Sequence, residues 1–88
     1  MGLKTFEKPN DGVTTTELRK LILYNSSHYW DDVVKQLVKA TGYDSLHCEQ
    51  IAMIVHTKGR AVVKSGDLDE LSEINYILKE INLVTSIE

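Results

Sequence analysis

The distribution of apolar and polar residues predicts a strand where the patterned part of the chain begins. The run LRKLILY, residues 18–24, is short and mostly apolar, which is typical of a β-strand. Leu21 and Leu23 would face one side of a sheet. Ile22 and Tyr24 would face the other side. We therefore assign this run to the first strand of the domain.

Three later segments repeat apolar residues at the three- and four-residue spacings of amphipathic helices. The first helix begins near Trp30, the second near Ser45 and the third near Leu68. We expect the apolar stripe of each helix to be buried. The stripes consist of Trp30, Val33, Val34, Leu37 and Val38, then Leu46, Ile51, Ile54 and Val55, and finally Leu68, Leu71, Ile74 and Leu78.

Residues at the ends of the first two helices support these limits. Asp31 and Asp32 lie in the first turn of the first helix, and Gly42 follows its end. This order complements the helix dipole and places glycine where a left-handed residue is needed. Asp44 or Ser45 is a suitable cap for the second helix, because both side chains can accept a backbone hydrogen bond.

The third helix has a start signal of its own. Asp67 is followed three residues later by Glu70, which resembles a capping box, and Lys79 closes the helix. The second helix ends before it, at Gly59. These signals separate the two helices and leave room for a short strand between them.

Two further segments complete the predicted fold. Residues 60–65 form a short strand, and residues 81–87 form the last strand with Leu83 and Val84 at its centre. The order is then β-α-α-β-α-β. We predict an α+β fold, a two-layer sandwich in which three helices pack on a small, mainly antiparallel three-stranded sheet.

The first 16 residues show no sustained periodicity. They contain the single proline, Pro9, an Asn-Asp-Gly turn signal at 10–12 and a threonine run at 14–16. We expect a flexible N-terminal tail over residues 1–16 and one folded domain over residues 17–88.

Composition places the chain among small globular domains and narrows its partners. It has 88 residues, 42% of them hydrophobic and 26% charged, with a net charge of −3. With no block of like charges, neither nucleic acid nor a membrane surface is expected as a partner. The single cysteine, Cys48, excludes an intrachain disulfide and suits a reducing compartment. No apolar segment long enough for a signal or a membrane span occurs, so we expect a cytoplasmic protein, and by default a monomer.

The sequence offers little that could support catalysis or metal binding. Cys48 and His56 lie on the same predicted helix, roughly 12 Å apart at the rise of an α-helix, too far to share one ion. No zinc-binding, nucleophile-elbow or phosphate-loop motif is present. We therefore expect a binding module with no catalytic residues, no metal and no cofactor, and Cys48 as a small core residue.

Two polar clusters remain as candidate binding elements. One is Asn25-Ser26-Ser27-His28 between the first strand and the first helix; the other is IAMIVHTKGRAVV, residues 51–63, which contains His56. Two structural roles compete with binding. The first cluster could serve only as a turn and helix cap, and His56 only as a partner of the helix dipole.

Taken together, these clusters resemble the ClpS family. The matching parts are Leu21-Ile22-Leu23-Tyr24-Asn25, Val33-Val34 and Ile54-Val55-His56-Thr57-Lys58-Gly59-Arg60-Ala61, with a weaker likeness to the end of the chain. ClpS proteins are adaptors that deliver substrates to a ClpA/ClpC-type AAA+ unfoldase of the Clp protease. The resemblance implies a pocket for the bulky N-terminal residue of an N-degron peptide: Leu, Phe, Tyr or Trp.

The resemblance also implies site residues in this chain. Asn25 and His56 match the polar groups that hold the substrate's α-ammonium, and the acidic start of the third helix matches the region that docks the unfoldase. The implied unfoldase-binding residues are Asp69, Glu70 and Glu73. The implied substrate-binding residues are Asn25, Ser26, Ser27, Trp30, Ala52, Val55, His56 and Leu83, the last in the predicted final strand.

The chain departs from the family pattern at several of these positions. Ser26 and Ser27 stand where the family has paired aspartates, and the turn is one residue shorter. Trp30 stands at the pocket entrance in place of a methionine, and Ala52 replaces a methionine farther back. The lysine that helps the family dock its unfoldase is missing from the third helix. The alternative is therefore a ClpS-fold interaction domain that has lost N-degron reading and binds another peptide or regulates the Clp protease.

Overall fold

The structure is a computed structural model that describes residues 18–88. The predicted tail, residues 1–16, lies outside this range. The order of elements is β-α-α-β-α-β, which confirms the predicted α+β class. The elements are β1 (Arg19–Tyr24), α1 (Trp30–Thr41), α2 (Ser45–Lys58), β2 (Arg60–Gly66), α3 (Leu68–Leu78), a 3-10 turn (Lys79–Ile81) and β3 (Thr85–Ile87).

The three strands form one antiparallel sheet with β1 at its centre, in the order β2-β1-β3. Leu23 of β1 pairs with Ala61 of β2 on one side and with Thr85 of β3 on the other. A register shift between Leu21 and Ile22 marks a bulge against β2. The most apolar strand thus takes the position with neighbours on both edges, as burial of its backbone requires.

The core lies between one face of the sheet and the helices. Leu21 and Leu23 point into it and are fully buried, together with Leu37 of α1, Leu71 and Leu78 of α3. Burial of each such leucine is worth about 1.5–3 kcal/mol relative to exposure. The predicted facing of β1 is therefore confirmed, and its leucines fix which face the helices cover.

The predicted helix limits are confirmed at both glycines and at two caps. Gly42 and Gly59 adopt left-handed φ angles of 77° and 92° just after α1 and α2. Such angles strain a residue that carries a Cβ atom. The Asp44 and Asp67 carboxylates each accept a backbone hydrogen bond of 2.8 Å in the first turn of α2 and α3. The carboxylate of Glu70 pairs with Lys64 at 2.7 Å.

Four residues predicted to be buried are exposed, and one of them is Trp30 of α1, at 39%. Leu46 and Ile54 of α2 are 64% and 46% exposed, and Leu68 at the start of α3 is 47% exposed. The buried line of α2 is instead Cys48, Ile51, Ala52 and Val55. The error has a simple origin, since α2 carries apolar residues on more than one side and spacing alone does not tell which side meets the sheet.

The predicted last strand is too long at its start. Residues 79–81 form the 3-10 turn, and Asn82 adopts a left-handed φ of 61°, which interrupts an extended chain. Leu83 and Val84 therefore precede β3 and do not form its centre. Leu83 is still buried, at 1% exposure, because this segment folds back onto the core.

Cys48 is a free, fully buried thiol of α2, as the sequence predicts for a core residue. Burial raises the pKa of the thiol above its ordinary value. None of the described helices combines the length and apolar character needed to cross a bilayer.

A polar cluster ties α1 to the segment that follows α3. Gln36 is buried and donates hydrogen bonds to the carbonyl of Ile77 and to Glu80, and Lys39 contacts the same Glu80 oxygen at 2.7 Å. Hydrogen bonds from Lys39 and then Gln36 lower the pKa of the Glu80 carboxyl. The cluster fixes the start of the segment that carries Ile81 and Leu83.

The depressed pKa of Glu80 gives a pH-dependent stability prediction. A lowered folded-state pKa means that this contribution is complete above the ordinary carboxyl pKa and is lost as the pH falls through the folded-state value. Glu80→Gln should therefore be less stable than the wild type at pH 7 and should lose this difference in acid, at a pH below the folded-state pKa of the carboxyl group. Urea denaturation at both pH values measures it. An equal deficit at both pH values would contradict the prediction.

Candidate functional site

A cavity of about 470 Å³ opens where the end of β1, the start of α1, the end of α2 and the segment before β3 meet. All eight residues implied as substrate-binding line it, and their binding role stays a prediction. Five further residues also line it, and of these only His28 belonged to a candidate binding cluster in the sequence. The eight are Asn25, Ser26, Ser27, Trp30, Ala52, Val55, His56 and Leu83; the five are Leu23, Tyr24, His28, Tyr29 and Val33.

Three hydrogen bonds hold the walls of this cavity together. The backbone N–H of Asn25 donates to the carbonyl of Gly59 at 2.9 Å, which ties the turn after β1 to the end of α2. The N–H of Tyr24 donates to the carbonyl of Val84 at 2.9 Å. His28 Nε2 bonds to the carbonyl of Ile81. Segments distant in sequence thus meet around one opening.

The floor of the cavity is apolar. Leu23 of β1, Ala52 and Val55 of α2, and Leu83 are all buried and contribute only hydrocarbon side chains. Ala52 is the shortest of these, so it leaves more room than any larger residue at its position. A floor of this kind favours an apolar guest group.

Polar side chains form the rim. Asn25, Ser27 and His56 are exposed residues that line the opening. Within residues 18–88 their side chains have no hydrogen-bond partner in the protein. Their donors and acceptors are therefore available to a ligand. Trp30 belongs to the wall, is 39% exposed and leaves the cavity open.

The turn of residues 25–29 does not cap α1 with its polar side chains. The cap residue is Tyr29, whose side chain makes no capping hydrogen bond. The interpretation of Asn25, Ser26 and Ser27 as a helix cap is therefore wrong. These residues instead line the cavity. Of the two roles that the sequence left open for them, the structure removes helix capping, and binding stays a prediction.

Two of the lining residues bond to each other. Ser26 Oγ lies 2.8 Å from His28 Nδ1, and the other ring nitrogen of His28 bonds to the Ile81 carbonyl. Ser26 and His28 are both half-buried. Nothing in the sequence marked His28 as a connector, because its backbone partner lies 53 positions away.

The cavity carries no formal charge of its own. None of the described residues that line it is Asp, Glu, Lys or Arg. His56 lies in the last turn of α2, where the free carbonyl groups carry partial negative charge. This end of the helix provides a weak attraction for a cation without a carboxylate.

The residues implied as unfoldase-binding lie elsewhere. Asp69, Glu70 and Glu73 are exposed on α3 and do not line the cavity. Asp69 and Glu73 are four positions apart and so share one face of the helix. Glu70 is engaged with Lys64. Their role in binding a partner stays a prediction.

The described part of the chain holds no cluster of three or more metal-binding side chains. Cys48 is buried in the core, whereas His56 lies at the cavity rim, so these two side chains of α2 do not meet.

Comparisons with known proteins give two findings. The sequence matches the family described as "ATP-dependent Clp protease adaptor protein ClpS" over residues 14–82. The fold is similar to the structure of Agrobacterium tumefaciens ClpS2 bound to L-phenylalaninamide, with a TM-score of 0.78, 18% sequence identity, and coverage of 84% of this chain and 98% of that one. No match is found among curated proteins.

Proposed function

Because this chain belongs to the ClpS family of Clp protease adaptors, we propose that it binds the bulky hydrophobic N-terminal residue of substrate proteins. We further propose that it delivers them to a ClpA/ClpC-type AAA+ unfoldase. The protein acts as an adaptor in the cytoplasm, as a monomer, and carries out no catalysis itself. Nucleic acid and membrane have no part in this role.

The observation that carries the proposal is the combination of an apolar floor with an unpartnered polar rim. A chain N-terminus has a side chain and an ammonium group on the same carbon atom, so it needs both surfaces side by side. Leu23, Val55 and Leu83 supply the first surface, and Asn25 and His56 supply the second. Capture of an N-terminal amine is a recurring mode of peptide recognition.

The energy available from the floor suits this task. Burying about 150–250 Å² of a Leu, Phe, Tyr or Trp side chain at about 25 cal/mol per Å² gives about 4–6 kcal/mol before the costs of association. The ammonium must regain the hydrogen bonds that it had with water. The side-chain carbonyl of Asn25, the hydroxyl of Ser27 and the unprotonated ring nitrogen of a neutral His56 can each accept one hydrogen bond.

The ligand of the Agrobacterium protein is consistent with this proposal. L-phenylalaninamide, to which that ClpS2 is bound, combines a free α-amine with an aromatic side chain. The likeness supports the fold rather than the individual contacts. The binding role of the eight cavity residues in this chain therefore rests on their own geometry and chemistry.

Fluorescence anisotropy tests the proposal directly. Labelled peptides that begin with Leu, Phe, Tyr or Trp should bind, and the same peptides with an acetylated α-amine should bind at least about tenfold more weakly. A peptide that begins with Gly serves as the control for side-chain recognition. Equal binding of the free and acetylated peptides would contradict amine recognition.

The neutral rim gives a prediction for restored charge. Ser27→Asp should tighten binding of a Phe-first peptide by about 1 kcal/mol, or about fivefold, because a carboxylate then faces the ammonium. Ser27→Lys is the matched control and should weaken binding. Anisotropy at moderate ionic strength measures both. If neither substitution alters the affinity, the ammonium lies elsewhere.

The absence of any acidic residue among the described cavity residues favours one second candidate. In this alternative the domain no longer reads an N-degron and binds another peptide or regulates the Clp protease. The acetylation experiment separates the two candidates. If the protein binds free and acetylated peptides equally but still binds the unfoldase, the second candidate is correct.

The proposed unfoldase contact can be tested on α3. Asp69→Lys combined with Glu73→Lys should weaken binding to the unfoldase by about tenfold, because two charges reverse on one exposed face. Peptide affinity should stay unchanged, since neither residue lines the cavity. Glu70 is left intact because it pairs with Lys64. A pull-down with ClpA or ClpC, together with anisotropy, measures both; unaltered unfoldase binding would contradict this placement.

A further inference from the structure

We propose that His28 is a positioning residue that makes Ser26 a hydrogen-bond acceptor for the substrate's α-ammonium. Binding of the amine then depends on the protonation state of His28. The inference rests on the proposed function, because it concerns the same rim of the cavity. It assigns a specific role to a residue that the sequence placed in a candidate polar cluster but that the family resemblance did not imply as substrate-binding.

The hydrogen-bond partners of His28 determine which ring nitrogen carries the proton. Nε2 contacts the carbonyl oxygen of Ile81, which can only accept, so Nε2 must be the N–H nitrogen. In the neutral ring, Nδ1 then has only a lone pair. The Ser26 hydroxyl, 2.8 Å from Nδ1, must donate its hydrogen to it. The carbonyl oxygen of Ile81 therefore determines where the protons of His28 and Ser26 lie.

This arrangement fixes the role of Ser26 Oγ. A free hydroxyl can turn either its hydrogen or a lone pair toward a ligand. Here the hydrogen is committed to His28, so the lone pairs remain for a guest that donates. Hydrogen bonds in series also polarise one another, which makes the oxygen a better acceptor. The ammonium is a donor with three hydrogens and fits this oxygen.

Protonation of His28 makes Ser26 Oγ a poorer hydrogen-bond acceptor for the ammonium. Both ring nitrogens then donate, so Nδ1 gives its hydrogen to Ser26 Oγ, and the hydroxyl hydrogen turns away from the ring. The acceptor loses a lone pair, and a positive charge appears in the wall beside the ammonium. No described lining residue carries a carboxylate that could offset that charge. Acidification should therefore weaken binding.

Other titratable groups surround this part of the cavity and have to be separated from His28. His56 is a second histidine among the lining residues, so the effect of its protonation has to be measured apart from that of His28. The Glu80 carboxylate beside Ile81 is engaged with Lys39 and Gln36. The groups concerned are Tyr24 of β1, Tyr29 of the turn, Asp31 and Asp32 of α1, His56 of α2, and Glu80.

The experiment is a pH series on the full chain with a Phe-first peptide between pH 7 and pH 5.5. The peptide amine stays charged over this range. Wild-type affinity should fall on acidification. His28→Gln keeps a donor for Ile81 and an acceptor for Ser26, so it should bind within about threefold of the wild type at pH 7 and lose most of the pH dependence. His28→Phe should lose about tenfold at pH 7.

A His56→Gln variant identifies the share of the pH dependence that belongs to the second histidine. The inference is overturned if His28→Gln keeps the wild-type pH profile, or if folded His28→Phe binds as the wild type does. A long-range proton–nitrogen NMR spectrum at pH 7.5 tests the assignment without any variant. It should show a protonated Nε2 and a bare Nδ1; the opposite tautomer overturns the inference. If the wild type ignores the free amine altogether, the proposed function fails as well.

Discussion

Ala52→Phe should abolish most of the affinity for peptides that begin with a bulky apolar residue. Ala52 is buried and contributes the shortest side chain to the cavity floor. A benzyl group at this position would occupy the space proposed for the guest side chain. Losing half of the 150–250 Å² buried by the guest corresponds to about 2–3 kcal/mol, or about 30- to 150-fold in affinity.

The control for this substitution lies at the next position of the same helix. Met53 is 52% exposed and does not line the cavity, so Met53→Phe should leave the affinity unchanged. Anisotropy measures the affinity, and circular dichroism with urea denaturation shows that both variants fold. Wild-type affinity in a folded Ala52→Phe variant would mean that peptides bind at another surface.

Leu71→Ala should produce the largest loss of stability among the single substitutions considered. Leu71 is fully buried between α3 and the sheet. Removal of such a leucine costs about 2–5 kcal/mol, because apolar burial is lost and a cavity remains. A domain of this size has only about 5–15 kcal/mol in total, so much of the stability would disappear.

Leu68→Ala provides the matched comparison on the same helix. Leu68 is 47% exposed, so its truncation should cost less than about 1 kcal/mol. Urea denaturation with a common slope gives both free energies of unfolding. Similar losses for the two variants would show that the start of α3 packs more closely than this structure has it.

The two substitutions address different parts of the proposal. Ala52→Phe fills the guest's space in the cavity, and Leu71→Ala weakens the core at a residue that does not line the cavity. An affinity loss from Ala52→Phe, without a loss of unfolding free energy, would locate peptide binding in this cavity. The charge at the rim is a separate matter, which Ser27→Asp and the His28 variants address.

The chain belongs to the ClpS family, but the polar rim of its cavity differs from the family pattern. The match over residues 14–82 establishes that the chain is a ClpS-type adaptor. The rim, however, has Ser26 and Ser27 where the family resemblance implies acidic residues. We expect a neutral rim to hold an ammonium through oriented dipoles, and in our proposal the hydrogen-bonded Ser26–His28 pair supplies one of them.

Local signals in the sequence were enough for most of the secondary structure, though not for the segment between α3 and β3. Glycines after α1 and α2 and aspartate caps before α2 and α3 set helix limits through backbone geometry that depends only on neighbouring residues. The two-residue period of a strand placed Leu21 and Leu23 on one face of β1, and the structure shows that this face is the inward one. The element order and the α+β class follow from these signals, because they arise within a few residues of the chain.

The family resemblance supplied the positions of the site but not its contacts. The eight implied residues meet around one cavity because Asn25 bonds to Gly59 and because the chain before β3 folds back. The hydrogen bonds of His28 could not be predicted, since one of its partners is a backbone carbonyl far away in sequence. No pattern of residue types records where a distant carbonyl will lie.

The sequence by itself therefore determined which segments are helices and strands, where most of them end, and which family the chain resembles. Only the tertiary structure decided that Leu46, Ile54 and Leu68 face solvent, that Leu83 precedes its strand, and that Ser26 bonds to His28. The physical reason is the distance along the chain over which each kind of interaction acts. Capping and periodicity act within one or two turns, whereas the choice of buried face and the partners of a side chain depend on which distant segment packs against it.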